Sequence, residues 1–553
     1  MPVRIYNWKR FWCTRTARLN LTDSGYLFDP DSEFGNIYNP DVFPFEKVVK
    51  FHCLGFLGEP GIGKSTTMWT QKRIIDAQVT EAGDASQWVD LRAFQTDARL
   101  VKAIFEDPVF LEWKKGSHRL HLFLDSLDEC LLRIDSVVAL LLDEFKRSPI
   151  ERLSVRIACR TADWPLGLEE GLRELWDNDS VEVYELAPLR RRDVAEAARA
   201  NGLDPDSFLA EVDRKEVVPL AIKPVTLEFL LNTFKRGGQF PSAKKDLYLK
   251  GCRLLAEETS QSRQDARQIG RLTPDQRLVV ASRVAALTIF TMRYAIWTSP
   301  DRGDVPEEDI TVSQMCGGKE SCNGQEIAIC EAAIREVLDT GLFSSRGPNR
   351  IGWAHQTYAE YLAAHYLVHR GLTHAQIMSL IVHPGDSKRK LVPQLHETAA
   401  WIAGMVPEVF RDIMDSDAEV LLKSDVATAD VGDRQALVQT LLRLLEEEKL
   451  LYRDLGARGA YRKLSYPELA NHLKAYLTDR TKGLIVRREA TDIAEACELV
   501  GVQDDLANIV LDSTEPVEVR SNAAYAIARI GRIRRRGSGH YLNLHAPRIP
   551  MTN

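Results

Sequence analysis

The chain has 553 residues, of which 44% are hydrophobic and 27% charged, with a formal net charge of −7. That length exceeds what one hydrophobic core accommodates, so about three to five domains are expected, and the composition is that of a folded globular chain, which excludes a largely disordered one. The mild acidity excludes a whole-surface attraction to nucleic acid and leaves clusters such as Arg190-Arg191-Arg192 and Arg534-Arg535-Arg536 as solvated charge or local phosphate contacts. Nine dispersed cysteines do not make a secreted disulfide framework, and the start MPVRIYNWKRFW lacks the apolar core of a signal peptide, so a cytoplasmic location is expected.

In chain order, residues 1–45 form a short N-terminal segment without sustained periodicity. Apolar runs at 48–57, 88–92, 119–125, 153–160 and 180–186 then read as buried strands, separated by helical patterns such as TTMWTQKRIIDAQV. That alternation predicts a parallel sheet wrapped by helices over 46–189. Beyond Pro188 the pattern is helical: a small helical domain over 190–262, a winged-helix domain over 263–372 and a second helical domain over 373–480. The winged helix is read from a long helix at about 273–297, a second helix, a short hairpin around SSRGPNR and a third helix. The run 279–297 contains Arg283 and Arg293, which argues for a buried helix over a membrane span. At 486–497 and 519–530 Val486, Arg487 and Ala490 match Val519, Arg520 and Ala523, a spacing of 33 residues that predicts HEAT-like stacked helix pairs of an α-solenoid over 481–535. The tail 536–553 shows no pattern. Cys316, Cys322 and Cys330 lack the paired C-x₂-C spacing of a zinc site and read as an ordinary loop.

The stretch GEPGIGKST, residues 58–66, fits G-x-x-x-x-G-K-[ST] in full, with a strand before it and a helix after it. In this phosphate loop Gly58 and Gly63 let the backbone turn its N–H groups toward phosphate oxygens, helped by the positive end of the next helix, and Glu59, Pro60, Gly61, Ile62 and Thr66 complete the expected nucleotide-binding stretch. Lys64 reaches the β- and γ-phosphates, and Ser65 holds Mg²⁺. The run HLFLDSLDEC brings Asp125 to the sheet edge as a second, water-mediated ligand of Mg²⁺. Asp128 and Glu129 come next; either orients the attacking water, or both simply begin a helix. Arg160 ends a strand where ligands of parallel sheets sit, so it senses the γ-phosphate or makes a surface ion pair. The absence of NKxD favours adenine over guanine, and the absence of LSGGQ argues against an ABC transporter subunit.

Together GEPGIGKST, FLDSLDE, the strand ending in Arg160 and WAHQTYAEYLAAHYL resemble the NACHT domain of the STAND class of signal-transducing NTPases, over roughly residues 48–370. The resemblance implies an α/β P-loop NTPase core, a small helical domain, a winged helix and a second helical domain, with ADP held in a closed resting form. It implies that a proline lies against the adenine, best matched by Pro224 in PLAIKPVTLEFLL with Pro219 as competitor; the glycine that often precedes that proline is replaced by Ile222 and Lys223. It also gives His355 a role: at the mouth of a helix that Thr357 and Glu360 would cap, it would contact the β-phosphate and lock the winged helix onto ADP. The other reading packs His355 among Trp353, Tyr358 and Tyr361.

The function expected is a slow, ATP/ADP-dependent switch, with an unknown trigger, protein or nucleic acid of an invader, acting on the helical C-terminal part. Activation would assemble a homo-oligomer, either a separate protein would be the effector or the chain would signal by another route, and the setting would be anti-phage defence. The competing expectation is an AAA-like ATPase that continuously remodels a substrate.

Overall fold

The computed structural model describes residues 6, 8–94, 96–130, 132–257, 272–300, 305–347, 349–450 and 458–536. These form two compact units, residues 1–370 and 371–553. The tail expected at 536–553 lies, from 537 on, outside the described residues, as does the junction expected at 262/263.

The first unit is built on a seven-stranded sheet of order β2-β1-β7-β3-β6-β5-β4, in which β1 is Phe11–Thr14 and β2 is Val42–Pro44. Five strands are parallel: β3 (Cys53–Leu57), β4 (Ala85–Asp90), β5 (Leu120–Asp125), β6 (Leu153–Cys159) and β7 (Val181–Leu186). Their side chains alternate between two cores. Leu54 and Phe56 pack with Phe123 and Tyr184 on one face, while Cys53 and Leu57 pack with Leu122, Leu124, Val155 and Ile157 on the other. A sheet buried on both faces needs such continuous apolar runs, which is why the strands were legible.

Residues 1–45, which carry no sustained periodicity, contribute two strands to this sheet. Phe11–Thr14 forms β1, antiparallel to β7, and Val42–Pro44 forms β2 outside it. Trp12 is fully buried against Phe56, with ring centroids 4.2 Å apart. The N-terminal segment therefore completes the sheet and one of its cores.

Helices of this unit include α1 (Lys64–Ala82), α2 (Arg191–Ala200) and α3 (Pro224–Gly237). The helix expected at 273–297 is shorter: α4 spans Pro274–Phe290, after which Met292 takes a left-handed backbone (φ 55) and Ala295–Trp297 turns into a strand pairing with Arg350–Trp353. That strand continues the hairpin Phe343–Ser345/Arg350–Trp353, flanked by α5 (Glu331–Leu338) and α6 (Gln356–His369). Among the described residues no helix is long and apolar enough to cross a membrane. The three cysteines at 316–330 flank or lie in a small hairpin, Lys319–Cys322 with Gln325–Ala328.

In the second unit, helix Leu469–Thr478 precedes α7 (Leu484–Ala496), and helix Gln503–Leu511 precedes α8 (Val517–Arg536). Val486, Val519, Ala490 and Ala523 are all buried. Arg487 donates to the carbonyl of Leu477 at 3.0 Å, and Arg520 donates to that of Val510 at 3.0 Å. Asp479 and Asp512 each accept from the N–H two residues on, at 2.9 Å. The repeat is thus a helix pair whose arginine clamps the last turn of the preceding helix, and it begins earlier than residue 481.

Candidate functional site

Strand β3 lies between β7 and β6, at the point where the chain order across the sheet reverses, and ligands of such sheets bind beyond the carboxyl ends of the strands there. The loop 58–63 leaves β3 at that edge. Gly61 (φ 75) and Gly63 (φ 96) occupy left-handed backbone, and a Cβ on Gly61 would lie 2.6 Å from Val225 of α3. The loop needs glycine for its turn and for this close packing.

A cavity of about 490 Å³ opens over the loop. Glu59, Pro60, Gly61 and Gly63 line it, with Lys64, Ser65 and Thr66 at the start of α1. Gly58 accepts a hydrogen bond from Lys64 through its carbonyl, and Glu59 does so at 3.2 Å. Ile62 is buried below the loop. Burial lowers the Lys64 ammonium's pKa from its ordinary value, with the neighbouring Asp128 opposing.

The three acids of DSLDE occupy distinct places. Ser126 takes a left-handed turn (φ 61) that ends the strand and separates Asp125 from the other two. The Oδ1 of Asp125 accepts from Ser65 Oγ at 3.0 Å. Burial pushes the Asp125 carboxyl up to about 6, against the Ser65 hydrogen bond. Asp128 is bound to Arg160 by two contacts: Oδ1 accepts the backbone N–H at 2.9 Å and Oδ2 faces Nε at 2.9 Å. Glu129 lies 3.4 Å from Arg160 Nη2 and 3.8 Å from Nη1 of Arg92. Arg160 is 5% exposed, so it is no surface ion pair. Its Nη1 donates at 3.2 Å to the carbonyl of Asp339, just beyond α5.

Pro224 lines the cavity, whereas the carbonyl of Pro219 accepts from Tyr358 at 2.5 Å. Lys223 is buried and pairs with Glu59 while donating to the Gly341 carbonyl at 2.8 Å. His355 stands outside the cavity's lining. It caps α6 itself, its Nδ1 accepting the Thr357 N–H at 3.2 Å, so the expected cap by Thr357 and Glu360 is corrected. An accepting Nδ1 puts the ring proton on Nε2. Its ring centroid is 5.7 Å from that of Tyr358. Burial, then the charge of Lys223, holds the imidazole down at about 4.

That shift has a sign. Below about 6.5 the unfolded chain takes up a proton that the folded one refuses, so stability is intact above pH 6.5 and falls as pH drops toward 4. The shift corresponds to roughly 3 kcal/mol at most. Unfolding followed against pH should show a shallower acid slope in His355→Asn, an uncharged cap; an unaltered slope would refute the assignment.

The sequence motifs leave out several residues that line the cavity, among them Tyr6, Trp8, Arg10, Arg92 and Glu228. Arg92 ends WVDLR as Arg160 ends LSVRIACR, and Asp90 grips it at 2.6 and 2.8 Å. Asp90 is in register with Asp125 on the neighbouring strand. Tyr6, Trp8, Arg10 and Trp12 recur at every second position, the period of one face of an extended chain. Arg10 donates to the carbonyls of Ile62 (3.1 Å) and Ala187 (2.7 Å), joining the phosphate loop to the end of β7.

Comparison with protein families and with curated proteins returns no match for the sequence. Similar solved structures include the Walker-type ATPase PABY2304 of Pyrococcus abyssi, at 13% identity and TM-score 0.30, covering 62% of this chain and 98% of that one. A RuvB variant of Thermotoga maritima stands at 14% and 0.24, covering 45% and 71%. ORC1 of Aeropyrum pernix, in complex with DNA, stands at 16% and 0.22, covering 58% and 88%. Likeness at that level leaves the assignment to the chain's own geometry, a complete phosphate-loop motif between a central parallel strand and a helix. The core has the P-loop NTPase fold.

Proposed function

We propose that residues 1–370 form an ATP/ADP-dependent switch of the NACHT and STAND kind, in which the nucleotide's terminal phosphate decides how firmly the 274–370 module is held. Arg160 carries this reading. One buried guanidinium is shared between Asp128, Glu129 and the Asp339 carbonyl of that module. A γ-phosphate beside Arg160 would compete for the same donors, since charge-assisted bonds to phosphate are stronger than one to a neutral carbonyl. Lys223 makes a second link of the same type, from Glu59 to the Gly341 carbonyl. Coupling to His355 would run through Lys223 and Tyr358: the Lys223 Nζ lies 5.8 Å from the Tyr358 ring centroid, which is 5.7 Å from that of His355.

Ser65 and Asp125 offer hard oxygen donors 3.0 Å apart, which fits Mg²⁺, an ion that completes its octahedron with phosphate oxygens and water. The ion supplies charge neutralisation at the phosphates. Asp128 positions Arg160, and Glu129, bound by longer contacts, is the better placed acid to orient water. Resemblance supports the remainder: a trigger at the helical second unit, a protein or nucleic acid of an invader, assembly of a homo-oligomer, a separate effector and a part in anti-phage defence.

Nucleotide released from freshly purified, denatured protein should be ADP, near one per chain, and steady hydrolysis should fall far below the roughly 1 s⁻¹ floor of ordinary enzymes. Arg160→Ala should speed ADP release. An empty protein that hydrolyses ATP steadily without a trigger is instead a continuously working remodelling ATPase, and the switch reading fails.

A further inference from the structure

We propose that Tyr6 and Trp8 build the base subsite of this cavity, presenting their ring pair to a purine that carries an amino group, with Glu228 at the base's edge. The inference rests on the reading of the cavity as a nucleotide site and deepens it.

Tyr6 and Trp8 are stacked, with centroids 4.5 Å apart and an interplanar angle of 13°. Both rings are tied down away from the phosphate loop. Trp8 Nε1 donates to the Asp193 carbonyl at 3.0 Å, Asn201 of the α2 C-terminus donates to Tyr6 Oη at 2.8 Å, and Tyr6 donates to Glu228 Oε2 at 3.3 Å. These bonds fix the rings before any ligand arrives, which removes the ordering cost a flexible aromatic would carry. Aromatic side chains packed only to anchor a chain end would turn inward, as Trp12 does; Tyr6 and Trp8 are only half-buried and line the cavity instead.

Their placement relative to the phosphate machinery is consistent with one extended ligand. Arg10, two residues on, reaches the Ile62 carbonyl, and its guanidinium lies 3.3 Å from where a Cβ on Gly63 would be. Pro224 and Val225 line the same cavity between the loop and Glu228 on α3. A base has a π-face that stacks on such rings whatever its identity. Glu228 adds a preference: its carboxylate accepts and never donates, so it suits a base edge bearing N–H groups. Adenine and guanine both carry an amino group, so the probes must separate them.

Calorimetry with Mg-ATP, Mg-GTP and Mg-tripolyphosphate on the full chain tests this. Trp8→Ala, and Trp8→Leu as the variant that keeps apolar bulk, should weaken ATP or GTP about 5- to 100-fold, the range of one lost base–aromatic stack. Tripolyphosphate should bind these variants within about twofold of wild type, on the same stacking argument. Glu228→Gln should change the ATP-to-GTP ratio and leave tripolyphosphate alone. Equal losses for nucleotide and tripolyphosphate would mean that the segment merely braces the loop, and unchanged nucleotide binding would overturn the subsite outright. Should wild type bind neither nucleotide nor tripolyphosphate, the nucleotide reading itself falls, a failure distinct from either of these.

Discussion

Lys64→Ala is expected to weaken Mg-ATP binding on the order of 10²- to 10³-fold while leaving thermal stability unchanged or slightly higher. The two readouts part because of what Lys64 does in each state. Without ligand the hydrogen-bond partners of its buried ammonium, among the described residues, are the Gly58 and Glu59 carbonyls, and burial disfavours the charge. Removing it relieves that penalty. With a triphosphate in the cavity the same charge would face several anionic oxygens, and losing such a desolvated pair costs about 2–5 kcal/mol. Equilibrium binding and a melting scan on the same preparation check the split. A variant that loses affinity only by losing structure would sink the assignment of Lys64 as a phosphate ligand.

The second large effect is on structure. Asp128→Ala should destabilise the first unit by about 3–5 kcal/mol, because it strips a buried guanidinium of its closest carboxylate. Glu129→Gln should cost under about 1 kcal/mol, since its contacts with Arg160 and Arg92 are longer and it faces the cavity. Hydrolysis should show the reverse order, with Glu129→Gln folded but slow. Hydrogen exchange at the Arg160 amide, which Asp128 accepts at 2.9 Å, reads the first effect locally. Equal stability of the two variants would undo the division of labour between neighbouring acids.

The parallel strands, the phosphate loop and the acids of DSLDE could be read from sequence because each carries a local pattern: an apolar run, a glycine spacing, a carboxylate at a strand end. Arg160 is legible by the rule that places ligands beyond strand ends, and the same rule marks Arg92 at the end of WVDLR. The N-terminal strands are not legible in the sequence, for a physical reason. A four-residue strand held by its neighbour β7 has too few turns of its pattern to register, although Tyr6, Trp8, Arg10 and Trp12 keep a period of two. His355 shows the opposite limit. The sequence placed it at a helix mouth, but whether its ring faces ligand or caps the backbone depends on Lys223 and Thr357, which only packing brings together. In the second unit the matching Val, Arg and Ala gave the spacing, while the clamp on Leu477 and Val510 that gives the arginines their purpose is a tertiary contact.

The strand at Phe11–Thr14 ties two concerns to one piece of chain. It shields the hydrogen-bonding edge of β7, and the three-residue β2 outside it ends in Pro44, a poor template for further pairing. Trimming the first fourteen residues would therefore bare a sticky sheet margin and remove Arg10 from beneath Ile62 in a single cut. Aggregation and lost ligand affinity would arrive together, so point substitutions, not truncations, are the way to tell them apart.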